Sequence, residues 1–397
     1  MRSAIRPGRP PAPVQWARRS ISFVFFVNGF LLASWLPHIP EVKERLALND
    51  LQLGIALLAM AAGAVLALPF AGWLTGMLGS RLATRVACLA LCLFLPAPVL
   101  VPTLPALMLA LLLLGAANAT LDVAMNAQGV LIEDRYPRPI FASLHGLFSA
   151  GGLAGASLAG LAVSGGVAAP LHVLGFAASI TMILPAATRS LLQDQAGKAR
   201  ANSVLARPSG ALLGLGALAL LALMAEGAIG DWAAVFLREV RGAGMDSAAI
   251  GLAGFSLAMA AGRFSGDWAR RQWSAASLLR ASGLVSALGM TIALTAPGLV
   301  GAIFGFTLFG LGLANMIPIL FGAAARAKGV TAGFGIAAVA TAGYGGFLAG
   351  PPLIGLTAEL VGLQLGLVAI LVAALAIAAF ANLVRHSAER ALVMAGA

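Results

Sequence analysis

Three acidic residues stand where a lipid-soluble chain has least room for them. Asp122, Glu226 and Asp231 lie well inside long apolar stretches of this 397-residue sequence, and each charge at that depth costs several kcal/mol unless it gains a partner, a cavity or a function. A carboxyl group withdrawn from water keeps its proton more readily, so it can load near neutral pH and unload when water returns. That is the chemistry of proton coupling, and Asp122, Glu226, Asp231 and His145 are the candidates for it. His145 is the histidine well inside an apolar stretch, and imidazole titrates near physiological pH; a packed, hydrogen-bonded ring is the plainer reading. Asn118, Asp122 and Asn126 follow an i, i+4, i+8 spacing, which lays them along one stripe of a helix. The stripe serves either as interhelical glue, worth about 1 kcal/mol per contact, or as a cavity wall. Glu226 precedes Gly227 and Gly230, residues that loosen a helix and open its backbone toward a ligand. Asp231 and Trp232 come a turn later, where Asp231 alternatively sits at a pore mouth or caps a break. Asn28, Trp35, Asn315 and Tyr344 add amide hydrogen bonds and aromatic stacking for a polar solute.

The elements carrying these residues follow from composition. Hydrophobic residues make up 60% of the chain and charged residues only 10%, far below the roughly 25% of a soluble domain; mean hydropathy is +0.96. A bilayer core about 30 Å thick requires roughly 20 apolar residues per helix. About twelve such runs are present, at 20-38, 51-73, 84-102, 105-131, 140-164, 169-188, 209-237, 247-268, 276-296, 299-325, 331-357 and 362-384. Solid apolar blocks without long alternation favour helices over a barrel. Residues 1-19 carry Arg2, Arg6, Arg9, Arg18 and Arg19 among prolines. A cleavable signal peptide is disfavoured by the length of the following stretch and the lack of a clear small-residue cleavage site.

Positive charge sets the expected orientation. With the N-terminus inside, Arg81, Arg85, Arg135, Arg138, Arg189, Lys198, Arg200, Arg207, Arg263, Arg270, Arg271, Arg280, Arg326, Lys328, Arg385 and Arg390 fall on the cytoplasmic side, against Lys43, Arg45, Arg238 and Arg241 outside. The net charge of +11 is then a topology signal and a match to anionic lipid head groups, not a nucleic-acid footprint. Cys88 and Cys92 sit one helical turn apart without nearby His or acidic partners, which reads as packing and not as a metal site. No metal or cofactor is expected, and the motifs of membrane-embedded enzymes are missing from the apolar runs.

The polar stretch from Arg189 to Pro208 divides six runs from six. The expected organisation is a tail at 1-19, an N-terminal bundle at 20-188, a cytoplasmic linker at 189-208, a C-terminal bundle at 209-384 and a cytoplasmic tail at 385-397. Three echoes support duplication. Gly115-Ala116-Ala117-Asn118 resembles Gly312-Leu313-Ala314-Asn315, Gly155 and Gly160 share their spacing with Gly350 and Gly355, and Gly72, Leu74, Gly79 and Arg81 loosely match Gly262, Phe264, Arg270 and Arg271.

On these residues the chain resembles the major facilitator superfamily over essentially all of its length after the tail. Gly72, Leu74, Gly79 and Arg81 fit that family's Gly-x-Leu-x-Asp-x-x-Gly-Arg-Lys loop, although Gly76 stands where the family has an acid. Gly262-Arg263-Phe264-Ser265-Gly266-Asp267 is similar to the second copy, with Arg263 and Asp267 spaced to meet on one helical turn. Asp122 to Gly129, Glu226-Gly227 and Asp231-Trp232 look like a bacterial branch near the rhizopine-transport-like and fucose-permease-like proteins. The resemblance implies an all-α membrane fold of twelve helices in two pseudo-symmetric bundles, alternating access about a mid-membrane site, and a conformational gate at Gly72, Gly79, Arg81, Gly262, Arg263 and Asp267. Helices 1, 4, 7 and 10 line the cavity in that family, and the intramembrane acids and amides fall preferentially on those runs. Gly155 precedes Ala156 where family exporters carry Gly-Pro, which disfavours drug/proton antiport.

The expected function is proton-coupled movement of a small polar organic solute, a sugar, polyol or amino sugar, across a bacterial inner membrane, with sodium as the alternative coupling ion and a monomer in lipid as the working form. Carboxylates without an intramembrane cation suit neutral or cationic solutes, an argument that holds only while Arg263 stays out of the cavity. Efflux of amphipathic drugs, metabolites or lipids is the second reading, for which Met125, Met224, Met316 and the phenylalanines leave room.

Overall fold

The computed structural model describes residues 10–48, 50–194, 209–242 and 245–385, and every regular element among them is helical. The expected linker and C-terminal tail therefore fall largely outside the described residues, as does the start of the N-terminal tail. Two compact units emerge. The first takes in residues 1–206 with 330–337, and the second takes in 207–329 with 338–397.

In the first unit, α1 (Ala12–Trp35) runs through a 3-10 turn, Leu36–His38, into α2 (Ile39–Arg45). Then follow α3 (Asp50–Leu78), α4 (Ser80–Phe94), α5 (Ala97–Leu100), α6 (Leu104–Glu133), α7 (Phe141–Ser164) and α8 (Ala169–Ala187). The second unit holds α9 (Gly210–Glu239), α10 (Met245–Gln272), α11 (Ala275–Thr295), α12 (Gly298–Leu313), α13 (Met316–Ala325), most of α14 (Ala332–Val361), α15 (Leu363–Gly366) and α16 (Val368–Ala379). A last 3-10 turn covers Ala381–Val384. Among the described residues, nine stretches are long and apolar enough to cross a bilayer, and Leu363–Ala379 is a shorter apolar one. The other two expected runs coincide with α1 and α10, which carry Arg18 and Arg19 or Arg263, Asp267, Arg270 and Arg271. Large side chains such as Leu66, Phe70, Met182 and Val300 face outward, the disposition a hydrocarbon solvent favours.

Local chemistry sets the helix ends. Thr103, Ser209 and Ser274 accept from the backbone N–H three residues on and cap α6, α9 and α11. Helix α1 starts at Ala12, ahead of the expected run, because its first turn has a proline and Arg18 reaches back to Tyr136, donating to the phenol at 3.0 Å and lying 5.1 Å above its ring. The single run expected at 299-325 is two helices. Pro318 has no N–H to give the carbonyl of Ala314, and the chain breaks at Ala314–Asn315 between α12 and α13.

The helices pair through glycine against bare backbone. A Cβ added at Gly151 or Gly155 of α7 would strike the carbonyls of Phe26 or Phe30 on α1. In the second unit, Gly346 and Gly350 of α14 bear on the carbonyls of Leu220 and Met224 on α9. Each pair of glycines is one turn apart on carbonyls one turn apart, so the same contact is built twice. A second repeated contact sets Gly115 of α6 on the Met60 carbonyl of α3 and Gly310 of α12 on the Phe255 carbonyl of α10. The structural counterpart of Gly115 is thus Gly310, whereas Gly312 meets Ser286 of α11. The Gly115 to Gly312 echo read from sequence is out of step by two residues, and Asn118, within α6, has no positional equivalent in Asn315, which sits in the break.

Candidate functional site

Helix α6 presents the polar stripe as its spacing predicts. The Asn126 amide nitrogen donates to the Asp122 backbone carbonyl at 2.8 Å and to the Asp122 carboxylate at 3.0 Å. With that NH₂ group committed, Asn126 Oδ1 is the acceptor for His145 Nε2 on α7, 3.1 Å away. Phe25 and Phe141 pack edge-on against the imidazole, with centroids at 5.3 and 5.2 Å. One amide therefore ties a carboxylate to a histidine on the neighbouring helix. Among the described residues Asp122 has no cationic partner.

Around this stripe the polar atoms are under-satisfied. Asn28 is buried and its amide nitrogen reaches only the sulfur of Met125, at 3.7 Å. Its Oδ1, Oδ1 of Asn118 and Nε1 of Trp35 are buried without a hydrogen-bond partner. Buried polar groups are rarely left so, and these three belong to α1 and α6 of the first unit. Trp35 also borders a cavity of about 270 Å³, with Gly29, Met60, Phe148, Ser149 and Gly152 among its walls. Those walls are mostly carbon.

In the second unit Glu226 of α9 meets Arg263 of α10. Their closest N–O approach is 3.4 Å, and the side chains are 24% and 12% exposed. Arg263 lies within α10, well before the basic last turn at Arg270 and Arg271. The condition on which the solute-charge argument depended is therefore not met: Arg263 turns toward an intramembrane acid. The reason is electrostatic, since an acid at that depth recruits a cation from the adjoining helix. Trp232 is half-buried and its ring lies near Gly355, where an added Cβ would be 3.2 Å away. Tyr344 is half-buried in α14. The side chain of Asp231 lies outside the described residues. The Asn315 amide donates to the Gly262 carbonyl at 2.9 Å, and its Oδ1 is buried and unbonded.

The loop residues hold backbone together. Gly79 adopts φ 77° at the start of α4, a left-handed value that suits glycine. The next residue, Ser80, donates its N–H to the Asp194 carboxylate at 2.7 Å, which caps α4 from the far side of α8. Arg81 donates to the Arg189 carbonyl at 2.9 Å, Arg85 to the Thr188 carbonyl at 2.8 Å, and Gln128 of α6 to the Leu192 carbonyl at 3.0 Å. The chain leaving α8 is thereby stitched to α4 and α6. Gly72 packs against the first turns of α14, where an added Cβ would lie 2.8 Å from Ala337 Cβ. Gly262 has Ala314 Cβ at 2.6 Å by the same measure, and Asp267 is 5% exposed.

Sequence reasoning missed one pair. His38 and His172, placed at run boundaries, face each other with nitrogens 2.8 Å apart. The available signal was their common depth, one at the end of the first run and the other at the start of the sixth.

Comparison with known proteins agrees with this architecture. The model of the Major Facilitator Superfamily matches residues 21–343. A Yersinia pestis protein named as an uncharacterized MFS-type transporter is 36% identical over 365 residues, covering 92% of this chain and 95% of its own. Membrane protein MosC of Rhizobium meliloti is 36% identical over 347 residues, 87% of this chain and 84% of its own. The crystal structure of the E. coli fucose:proton symporter FucP superposes with a TM-score of 0.74 at 16% identity, covering 94% of this chain and 98% of the other. A match of that extent, on a chain built of paired apolar helices with their contacts made twice, places this protein in the major facilitator superfamily, as a multi-pass membrane transporter and not an enzyme.

Proposed function

We propose that the protein moves a small polar organic solute, a sugar, polyol or amino sugar, across the bacterial inner membrane by alternating access, in exchange for or together with protons. The observation that carries the reading is the Asp122 carboxylate, without a cation among the described residues and bonded through Asn126 to His145. Unpaired acceptors on Asn28 and Asn118 supply bonds for hydroxyl or amino groups of the solute. With Glu226 paired to Arg263, Asp122 is the intramembrane acid without a cation among the described residues, and the solute's own charge is left open. The fold is shared with a fucose:proton symporter, and that likeness supports the reading at the level of architecture. In this reading Asn28, Trp35, Asn118, Asp122, Asn126, His145, Glu226, Trp232, Asn315 and Tyr344 contact the solute, Asp122, Glu226, Asp231 and His145 take part in proton coupling, and Gly72, Gly79, Arg81, Gly262, Arg263 and Asp267 belong to the gates. The bundles are 20-188 and 209-384, both termini are cytoplasmic, and the protein works as a monomer.

The mostly apolar cavity beside Trp35 and Phe148 favours a second reading, efflux of amphipathic compounds. Purified protein in proteoliposomes separates the two. Proton movement driven by sugars, polyols or amino sugars supports the first. A response confined to amphipathic cations supports the second, and a response that follows a sodium gradient and ignores pH removes the proton from the scheme.

A further inference from the structure

The most developed chemistry outside that site lies where the chain leaves α1 and where it enters α8. The 3-10 turn Leu36–His38 brings His38 inward, and the first turn of α8 presents His172 to it. His38 Nε2 is 2.8 Å from His172 Nδ1, and His38 Nδ1 is 3.3 Å from Oε2 of Glu41. His38 is fully buried and His172 is 7% exposed, whereas the Glu41 side chain is 52% exposed. At the inner end of this chain His172 Nε2 is buried and unbonded, and the ring lies edge-on to Phe176 at 4.3 Å.

We propose that Glu41, His38 and His172 form a second protonation site, separate from Asp122, that holds one added proton while latching α1 to α8 and unlatches on taking another. The argument is one of donors and acceptors. A neutral imidazole has one N–H and one lone pair. If His38 gives its Nδ1–H to the Glu41 carboxylate, its Nε2 accepts from His172 Nδ1–H, and His172 Nε2 is left with a bare lone pair. One proton fits there without disturbing any bond, with Glu41 at the other end of the chain to balance it. Within the two rings the next proton has only His38 Nε2 to occupy, where it would oppose N–H to N–H and break the link between the two elements. On α2, Lys43 and Glu44 follow Glu41 within one turn, and Arg45 donates to the carbonyls of Val101 and Pro98 at 2.9 and 3.4 Å. Helices α7 and α8, packed against the turn and each other, hold no Asp, Glu, Lys or Arg, and neither does α5. The charges of α1 and α4 sit at their opposite ends, Arg18 and Arg19 or Arg81 and Arg85.

The site is tested on the whole protein in lipid nanodiscs with ¹⁵N-labelled histidine. At about pH 8 a ¹⁵N–¹⁵N coupling through the hydrogen bond is expected between the two imidazoles, and it is expected to vanish by about pH 5. Rings that titrate with no such coupling at any pH overturn the proposal. Amide exchange gives a second readout. Protection of residues 36–45, corrected for intrinsic chemistry, is expected to fall roughly tenfold over that interval, as the loss of one buried hydrogen bond implies, and to stay level in the His38→Gln/His172→Gln double variant. Equal falls in both proteins, or none in the wild type, count against the latch. If the double variant does not fold, the coupling in the wild type decides alone.

Discussion

A single amide decides how Asp122 behaves. Asn126 offers its NH₂ to the carboxylate and its oxygen to His145, so removing the amide separates the acid from the imidazole without touching either. Asp122→Asn is expected to reduce solute-driven proton flux to background while leaving helix content and thermal stability near wild type; retained coupling would remove this residue from the mechanism. Asn126→Leu, by contrast, keeps the acid, and is expected to retain coupling with a displaced pH profile, read as flux against pH. Glu226 is a different case because its partner is Arg263. Glu226→Gln takes the carboxylate away from Arg263 and is expected to cost about 2–3 kcal/mol, below the roughly 3–5 kcal/mol of a fully buried pair; adding Arg263→Met restores most of it, measured by thermal unfolding in detergent. The stripe on α6 was legible from spacing alone, since the helical repeat dictates it. The Glu226–Arg263 pair was not, because a basic residue near the end of an apolar run reads equally well as a loop charge. Only the direction of its side chain tells the two apart.

At the level of helices, the governing contact is a Gly hydrogen against a neighbouring carbonyl. Gly151→Ala and Gly346→Ala each push a methyl group into backbone that has no rotamer with which to yield, and each is expected to lose about 1–3 kcal/mol in unfolding measurements. Gly160→Ala is the control, for nothing lies within 4 Å of its Cβ position; it is expected to be neutral or slightly stabilising through helix propensity. Run positions were readable from hydropathy because the solvent for these helices is lipid. Two features were not. The helix break at Ala314–Asn315 arises from a proline three residues further on, in a stretch without any fall in hydropathy. The start of α1 depends on Arg18 finding Tyr136 across the fold, a long-range contact no local window contains.

For the whole chain, orientation is the testable claim. Positive charge predicts that residues near Arg135 face the cytoplasm and those near Glu44 the opposite side, and both residues are exposed. In right-side-out vesicles an impermeant thiol reagent is expected to label Glu44→Cys and to spare Arg135→Cys. Cys88 and Cys92 are buried and contribute no background. The reverse pattern would invert the topology and with it the direction of the proton gradient the protein meets.

The doubled glycine register also bears on heredity. A position that tolerates only a hydrogen atom cannot drift, whatever solute the surrounding cavity comes to prefer. Gly151, Gly155, Gly346 and Gly350 are therefore expected to outlast the cavity residues as lineages diverge. Gly160, Gly175 and Gly345, which face open space, are free to change. A saturation library selected only for a stably folded protein in the membrane would already sort the two groups, because the constraint comes from assembly and precedes any cargo.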